Sequence, residues 1–286
     1  MRKIFIDCGA HRGESIKAFC DNFANSEEYE IYSFEPGEHP IVLDSLRETV
    51  ENYQNKVKNI ELSSKAVWTH NGRIPFYENE KSSESSSLFY REQFVNNAHV
   101  IEKAVECIDL SSWIKNNFSK DDFIILKLDI EGGEYGVIKK LYDEDALQYI
   151  DIFYCEVHGI KCEKGYEDTL ELVRMVEDRG VPFYNWAAES YGRKGASALT
   201  EEKLKAIFIR WYTQWVEQSD NNQFSPLFKK TVIDLLPQMV GVPGAAAIIP
   251  LNGGGKCVVQ LHNNGVSYIL EQNKETMEKE NEKNIY

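Results

Sequence analysis

The sequence lacks several features that mark particular classes of protein. No run of about 18 consecutive apolar residues occurs, so we expect no segment to span a membrane. The N-terminal stretch carries charges at Asp7 and Arg12 and has no apolar segment of signal-peptide length. The six cysteines form no CxxC pair, which argues against a disulfide framework or a zinc site. These absences predict a cytoplasmic protein with reduced thiols.

The chain also has fewer basic than acidic residues. Lys and Arg number 32, against 46 for Asp and Glu, which gives a net charge of −14. Because nucleic-acid phosphates are bound mainly by Lys and Arg, we expect no nucleic-acid partner. The remaining composition is that of a folded chain, with 42% hydrophobic and 12% aromatic residues. The negative charge suits a cationic or neutral ligand.

Strand and helix patterns alternate through the N-terminal half of the chain. Apolar runs at 3–7, 30–35 and 123–129 predict strands, and the last is apolar nearly throughout, as expected of a central parallel strand. This alternation predicts an α/β fold with a mostly parallel sheet and helices on both faces. After about residue 190 the pattern changes to consecutive helices at 200–218 and 226–238, followed by a hairpin with its turn at Asn264-Gly265.

The segment 6–15 leads from a strand through a turn into a helix N-terminus, which is where open α/β sheets bind ligands. Its Gly9-x-x-x-Gly13 spacing lacks the glycine that lets a backbone approach a pyrophosphate. Asp7 would repel a pyrophosphate and attract an ammonium group. Glu35 ends the second strand, where an acid commonly accepts the ribose hydroxyls. These residues favour S-adenosylmethionine over NAD; the alternative is a tight turn beside two solvated acids.

Acidic residues crowd the loop after the strongest strand, in the segment KLDIEGGE at 127–134. Glu156 and His158 follow the next strand, so a parallel sheet would bring them to the same edge as Asp129. Such a group suits general-base chemistry, a divalent metal held by Asp129, Glu156 and His158, or charge complementarity to a sulfonium. The alternatives are helix capping by Glu131 and Glu134 and a structural role for His158.

The segments FIDCGAHRGES, YSFEP, SKAVW and IILKLDIEGGEY, with YCEVHG after them, occur in this order over about residues 3–160. At these residues the sequence resembles the FkbM-type S-adenosylmethionine-dependent methyltransferases. The resemblance implies a Rossmann-like class I methyltransferase fold. It also implies O-methylation of a sugar, glycan or other small hydroxylated acceptor. A catalytically inactive nucleotide-binding module of the same fold and a NAD-dependent oxidoreductase stay as alternatives.

The resemblance also implies roles for particular residues. Cofactor contacts are expected at Asp7, Gly9, Ala10, His11, Gly13, Glu35, Pro36, Ser64, Lys65, Ala66 and Asp129. The resemblance implies catalytic roles for Asp129 and Glu131, and the position of Glu156 and His158 at the same sheet edge predicts catalytic roles for these two as well. The His11-Arg12 pair departs from the small or amide residues common in the family's first loop.

The domain prediction is a single domain over 1–272 with a charged flexible tail at 273–286. Within it, 190–255 matches nothing in the family and is predicted to be a helical insertion or an acceptor-side cap. Acceptor identity and metal dependence are left open. The oligomeric state is also open, with a homodimer among the options.

Overall fold

The computed structural model describes residues 1–79, 86–88, 100–186, 198–218, 225–251, 255–263 and 265–271. The chain folds into two compact units. The first comprises Met1–Cys162 and Thr169–Leu199, and the second comprises Glu163–Asp168 and Thr200–Tyr286. The segment 190–255, predicted to be an insertion in one domain over 1–272, is shared between these units, and its role stays a prediction. The predicted tail at 273–286 lies outside the described residues.

The elements follow one another in the alternating order that the sequence predicts. The described β-strands are β1 (Lys3–Cys8), β2 (Tyr29–Phe34), β3 (Asn59–Ser63), β4 (Ala66–Trp68), β5 (Gly72–Asn79), β6 (Val100–Asp109), β7 (Phe123–Leu128), β8 (Ile152–Cys155), β9 (Phe183–Asn185), β10 (Ala246–Pro250), β11 (Lys256–His262) and β12 (Gly265–Glu271). The described α-helices are α1 (Glu14–Asn22), α2 (Pro40–Tyr53), α3 (Leu110–Asn117), α4 (Glu134–Asp143), α5 (Tyr166–Glu177), α6 (Glu201–Gln218) and α7 (Pro226–Met239).

A six-stranded parallel sheet forms the centre of the first unit, in the order β3-β2-β1-β7-β8-β9. In β1, the successive residues Ile4, Phe5 and Ile6 are all fully buried, so both faces of this strand are covered. On one face, Phe5 stacks on Phe19 of α1 with ring centroids 4.4 Å apart. The predicted Rossmann-like α/β fold class is confirmed.

A smaller three-stranded sheet, in the order β4-β6-β5, also belongs to the first unit. The sequence predicts a third strand and a turn within 58–68, and the chain does turn at the exposed Ser64 and Lys65, after which β4 starts in this second sheet. The adjoining helix α3 begins after Asp109, whose side chain accepts a hydrogen bond from the Ser112 backbone N–H at 3.1 Å.

The second unit contains α6, α7 and an antiparallel sheet in the order β10-β11-β12. Phe208 and Val216 on α6, and Cys257 and Val259 on β11, are fully buried. The two predicted helices and the two strands of the predicted hairpin are present, while Asn264 of its turn lies outside the described residues. The strand β10 is not foreseen because its surroundings are rich in Gly and Pro. None of the described helices is long and apolar enough to cross a membrane.

Candidate active site

A cavity of about 220 Å³ lies where β1, β2 and β7 end, wholly within the first unit. Gly9 follows β1, Glu35 follows β2, and Asp129 and Glu131 follow β7. Ligands bind at this carboxyl edge in open parallel sheets, because the loops that leave neighbouring strands meet there. The sequence therefore predicts correctly that these loops come together.

The turn after β1 requires glycine at Gly9. Its φ of +83° is in the left-handed region, and a Cβ atom there would overlap the backbone oxygen of Asp129. The backbone N–H of Gly9 donates to the Phe34 oxygen at 2.9 Å, which ties the loop to the end of β2. The absence of a side chain thus allows the loops after β1 and β7 to approach each other.

Glu35 lies on the cavity wall, and both of its carboxylate oxygens accept backbone hydrogen bonds. The His11 N–H donates to Oε2 at 2.7 Å, and the Gly37 N–H donates to Oε1 at 2.7 Å. Burial raises the pKa of Glu35, although these two N–H donors oppose the rise. This one carboxylate therefore joins the loop after β1 to the loop after β2.

His11, in the loop after β1, also lines the cavity. Its φ of +47° is in the left-handed region. Its Nδ1 lies 3.4 Å from Glu14 Oε1, and this contact is the main reason that the pKa of His11 is raised. Of the other predicted cofactor residues, Pro36 and Ala66 line the cavity.

Five predicted cofactor residues do not line the cavity: Asp7, Ala10, Gly13, Ser64 and Lys65. Ala10 is buried, and Gly13 packs against Thr49, which a Cβ atom at Gly13 would approach to 2.8 Å. Ser64 and Lys65 are exposed, and Lys65 pairs with Glu106 at 3.4 Å. The break between β3 and β4 turns these two side chains towards solvent, so only the following Ala66 and Val67 line the cavity.

Asp7 is fully buried and is not on the cavity wall. Its Oδ2 accepts hydrogen bonds from the hydroxyls of Ser15 at 2.6 Å and Ser33 at 3.1 Å, and its Oδ1 lies 3.3 Å from Lys127 Nζ. The direct contact between Asp7 and a cofactor ammonium group stays a prediction. In this structure the carboxylate joins the end of β1 to Ser15 of α1, Ser33 of β2 and Lys127 of β7.

Lys127 is the buried cation that joins the first loop to the acidic loop after β7. Its ammonium donates to the Gly9 backbone oxygen at 2.6 Å and lies 3.4 Å from Asp129 Oδ2. Burial lowers the pKa of Lys127, but Asp129 and Asp7 outweigh burial and the pKa is raised. From the sequence, Lys127 could either pair with an acid or extend to the sheet edge. The structure shows that it pairs with Asp7 and Asp129.

The smaller sheet adds a wall, of which sequence reasoning missed the two residues from β5. Val67 of β4 lines the cavity together with Phe76 and Glu78 of β5. Glu78 is 3% exposed, accepts the backbone N–H groups of Glu38 at 2.9 Å and His39 at 3.0 Å, and pairs with Lys103 at 2.6 Å. The available signal was the alternation in β5, which places Glu78 on the same side as Phe76.

The predicted catalytic residues lie together beside the cavity. Leu128 and Cys155 are paired across β7 and β8, so Asp129 and Glu156 leave neighbouring strands at the same level. His158 Nε2 lies 3.6 Å from Glu156 Oε1, 3.8 Å from Glu131 Oε2 and 3.9 Å from Asp129 Oδ1. Among the described residues, one group has donor atoms spaced as in a metal site. It consists of Asp129, Glu156 and His158.

The His158 ring is held in place by Glu134, which is fully buried. His158 Nδ1 lies 3.0 Å from Glu134 Oε1, and Glu134 also accepts the backbone N–H groups of Ile130 and Gly132, each at 2.9 Å. Burial lowers the pKa of His158, but Glu134 and the other carboxylates outweigh burial and raise it well above its usual value. Glu134 thus orders the 129–134 loop rather than only capping α4.

This arrangement separates two regions with different chemistry. The cavity offers apolar walls and, after the end of β2, the carboxylate of Glu35. The adjoining group offers carboxylates and one imidazole, which can accept a proton, orient a hydroxyl or hold a cation. Asp129 and Glu131 belong to both regions, because they line the cavity and face His158.

A sequence profile described as the methyltransferase FkbM domain matches residues 7–183, more than half of the chain. Among solved structures, the chain is similar to methyltransferase FkbM from Methylobacillus flagellatus KT, with 16% identity and a TM-score of 0.32. That similarity covers 50% of this chain and 30% of the other. No curated protein matches the chain.

Proposed function

This chain belongs to the methyltransferase FkbM domain family, and on that premise we propose that it is an S-adenosylmethionine-dependent O-methyltransferase. The acceptor is a hydroxyl group of a sugar, a glycan or another small hydroxylated molecule. The observation that carries the proposal is the cavity at the carboxyl edge of β1, β2 and β7, with an acid at the end of β2 and an acidic group beside it.

The cofactor occupies this cavity in the proposed mechanism. Glu35 accepts the ribose hydroxyls, since its carboxylate is fixed by the His11 and Gly37 N–H groups at the cavity wall. The adenine lies against the apolar wall that includes Val67 and Phe76. The loop after β1 lacks the middle glycine of a G-x-G-x-x-G turn, and the surrounding carboxylates are negative, so both features favour a sulfonium cofactor over a pyrophosphate.

The acidic group binds and activates the acceptor. The acceptor oxygen attacks the methyl carbon, and the carbon–sulfur bond breaks with its electron pair going to sulfur. The hydroxyl proton passes to a side chain of the group, with Asp129 as the proposed acceptor and His158 as the group that orients the hydroxyl. Alignment of the three reacting atoms supplies much of the rate, because methyl transfer is an in-line displacement.

Calorimetry tests the cofactor assignment. S-adenosylhomocysteine is titrated into the full chain, into the Glu35→Gln variant and into a control, Glu51→Gln, in which an exposed acid on α2 is replaced. We expect binding to weaken about 10- to 100-fold in Glu35→Gln, because a charge-assisted hydrogen bond contributes about 1.5–3 kcal/mol. Binding of NAD in place of S-adenosylhomocysteine would overturn the proposal.

Mass spectrometry tests the reaction. The chain is incubated with S-adenosylmethionine and a panel of glycans and sugar nucleotides, and each acceptor is examined for the addition of one methyl group. We expect Asp129→Asn to abolish the addition that the unchanged chain supports. If S-adenosylhomocysteine binds but no acceptor gains a methyl group, the inactive nucleotide-binding module becomes the better description.

A further inference from the structure

The loops after β7 and β8 place two carboxylates and one imidazole around a common point. We infer that Asp129, Glu156 and His158 form a binding site for a divalent cation, with Glu134 as the group that orients the imidazole. The existence of this site is independent of methyl transfer, whereas its role in acceptor activation rests on the proposed function.

The separations between the donor atoms fit ligands that share an ion. His158 Nε2 lies 3.6 Å from Glu156 Oε1 and 3.9 Å from Asp129 Oδ1, and all three donors lie within 4.8 Å of one another. These distances exceed a normal N–H···O hydrogen bond of about 2.7–3.2 Å. Ligands bound at about 2.0–2.3 Å to one cation lie roughly 3–4.5 Å apart. Glu156 is half-exposed, so rotation of its side chain can shorten the longest separation.

The orientation of His158 is a second and independent observation. Its side chain is 10% exposed, and Nδ1 is fixed 3.0 Å from Glu134 Oε1. Glu134 is itself fixed by two backbone N–H groups of the same loop, so it cannot turn to meet Nε2. Nε2 therefore points towards the carboxylates of Asp129, Glu131 and Glu156, at ion-pair distances of 3.9, 3.8 and 3.6 Å. Metal-ligating histidines have this same support, in which a carboxylate holds the other ring nitrogen.

The local charge favours a cation at this point. Asp129, Glu131, Glu134 and Glu156 all lie within 4 Å of the His158 ring nitrogens. Lys127 approaches Asp129 at 3.4 Å but also pairs with the buried Asp7. One ammonium group therefore serves two carboxylates, and the acidic group keeps an excess of negative charge that a divalent cation would reduce.

The donor set indicates which cations the site accepts. Two carboxylates with one imidazole suit Mn²⁺, Mg²⁺ or Zn²⁺ better than soft, thiolate-preferring ions. Three protein ligands leave coordination positions free for water and for an acceptor oxygen. A cation bound there lowers the pKa of a coordinated hydroxyl, which is the activation that the proposed O-methyl transfer needs.

Electron paramagnetic resonance with Mn²⁺ as the probe tests the site on the full chain. We expect about one Mn²⁺ to bind per chain, and we expect Glu156→Gln and His158→Gln each to weaken binding by at least about 10-fold. Glu134→Gln should weaken binding about 10- to 100-fold without removing a ligand. The control Glu51→Gln, which replaces an exposed acid on α2, should bind Mn²⁺ as the unchanged chain does.

Two results would overturn the inference: no stoichiometric Mn²⁺ binding, or binding that is the same in Glu156→Gln as in the unchanged chain. Glu156 is half-exposed, so its replacement is expected to leave the fold intact, which circular dichroism checks. Titration of S-adenosylhomocysteine into the metal-free chain reports on the proposed function separately. If S-adenosylhomocysteine binds and Mn²⁺ does not, only the inferred cation site is overturned. If Mn²⁺ binds and S-adenosylhomocysteine does not, only the proposed function is overturned.

Discussion

Replacement of Lys127 by Met should destabilise the first unit more than any surface substitution. The side chain is 2% exposed and is the cation beside Asp7, which is fully buried, at 3.3 Å. At an effective dielectric constant of about 20, two unit charges at this distance attract by about 5 kcal/mol. Methionine fills the space of the lysine stem but leaves the Asp7 charge without its cation. Loss of one partner of a buried ion pair costs about 3–5 kcal/mol, so we expect the free energy of unfolding to fall by about that amount.

The assay is urea denaturation, followed by circular dichroism and by tryptophan fluorescence. A second variant, Lys127→Met combined with Asp7→Asn, removes the buried negative charge as well and should recover part of the loss. The control Lys139→Met breaks an exposed pair with Asp143 at 2.9 Å on α4 and should cost about 0.3–0.5 kcal/mol.

Two outcomes would refute this reasoning about Lys127. The first is a loss below about 1 kcal/mol in Lys127→Met, because the buried carboxylate would then be solvated or protonated at little cost. The second is additive loss in the double variant, because two residues in one ion pair should show coupling in a double-mutant cycle.

Other predictions concern the cavity and the acid sensitivity of the fold. Gly9→Ala should destabilise by more than about 2 kcal/mol in urea denaturation, because its φ is positive and its Cβ would overlap the Asp129 backbone oxygen. Glu78→Ala should weaken S-adenosylhomocysteine binding about 10-fold in calorimetry, because the loop at 37–39 loses its acceptor. The Arg2 hydrogen bond lowers the pKa of Glu30 to about 2, so stability should fall as pH drops from about 4.5 towards 2.

Each of these predictions has a matched comparison. Gly180 also has a positive φ, of +73°, but open space around a Cβ atom, so Gly180→Ala should cost only about 1–2 kcal/mol. Glu78→Gln keeps an oxygen acceptor and should restore part of the affinity that Glu78→Ala loses. Glu30→Gln should unfold with less dependence on pH between about 4.5 and 2, by about 1 kcal/mol once solvent screening is included. If Gly9→Ala and Gly180→Ala lose the same stability, the overlap at Gly9 is not the cause of its loss. If the unchanged chain and Glu30→Gln show the same dependence of stability on pH, Glu30 is not the source of that dependence.

The alternation of buried strands and helices carries most of the information about the first unit. The apolar runs at 3–7 and 123–129, which form most of β1 and β7, each end in an acid, and such runs are typical of central parallel strands. Once they are parallel neighbours, Gly9 and Asp129 must leave the sheet at one edge. The same argument places Glu156 beside Asp129, because β8 pairs in parallel with β7. These local patterns were sufficient to predict where the candidate site lies.

Residue-level contacts were harder to predict because they depend on packing between distant segments. Ser64 and Lys65 fall in a matched segment, yet the chain turns between two sheets at this point and exposes both side chains. Glu78 occurs in a segment that predicts only an exposed strand. It joins the cavity because β5 folds back antiparallel to β6 and brings its buried side towards the loop at 36–39.

The sequence by itself determined the fold class of the first unit, the edge of the sheet that carries the candidate site and the acidic character of that site. Each follows from periodicity and strand order, which are local properties of the chain. Only the tertiary structure decided that Asp7 faces Lys127 rather than the cavity, and that His158 is fixed by Glu134 with Nε2 towards three other carboxylates. The direction of a buried charged side chain depends on which partner lies within hydrogen-bond reach, and that partner can lie over a hundred residues away.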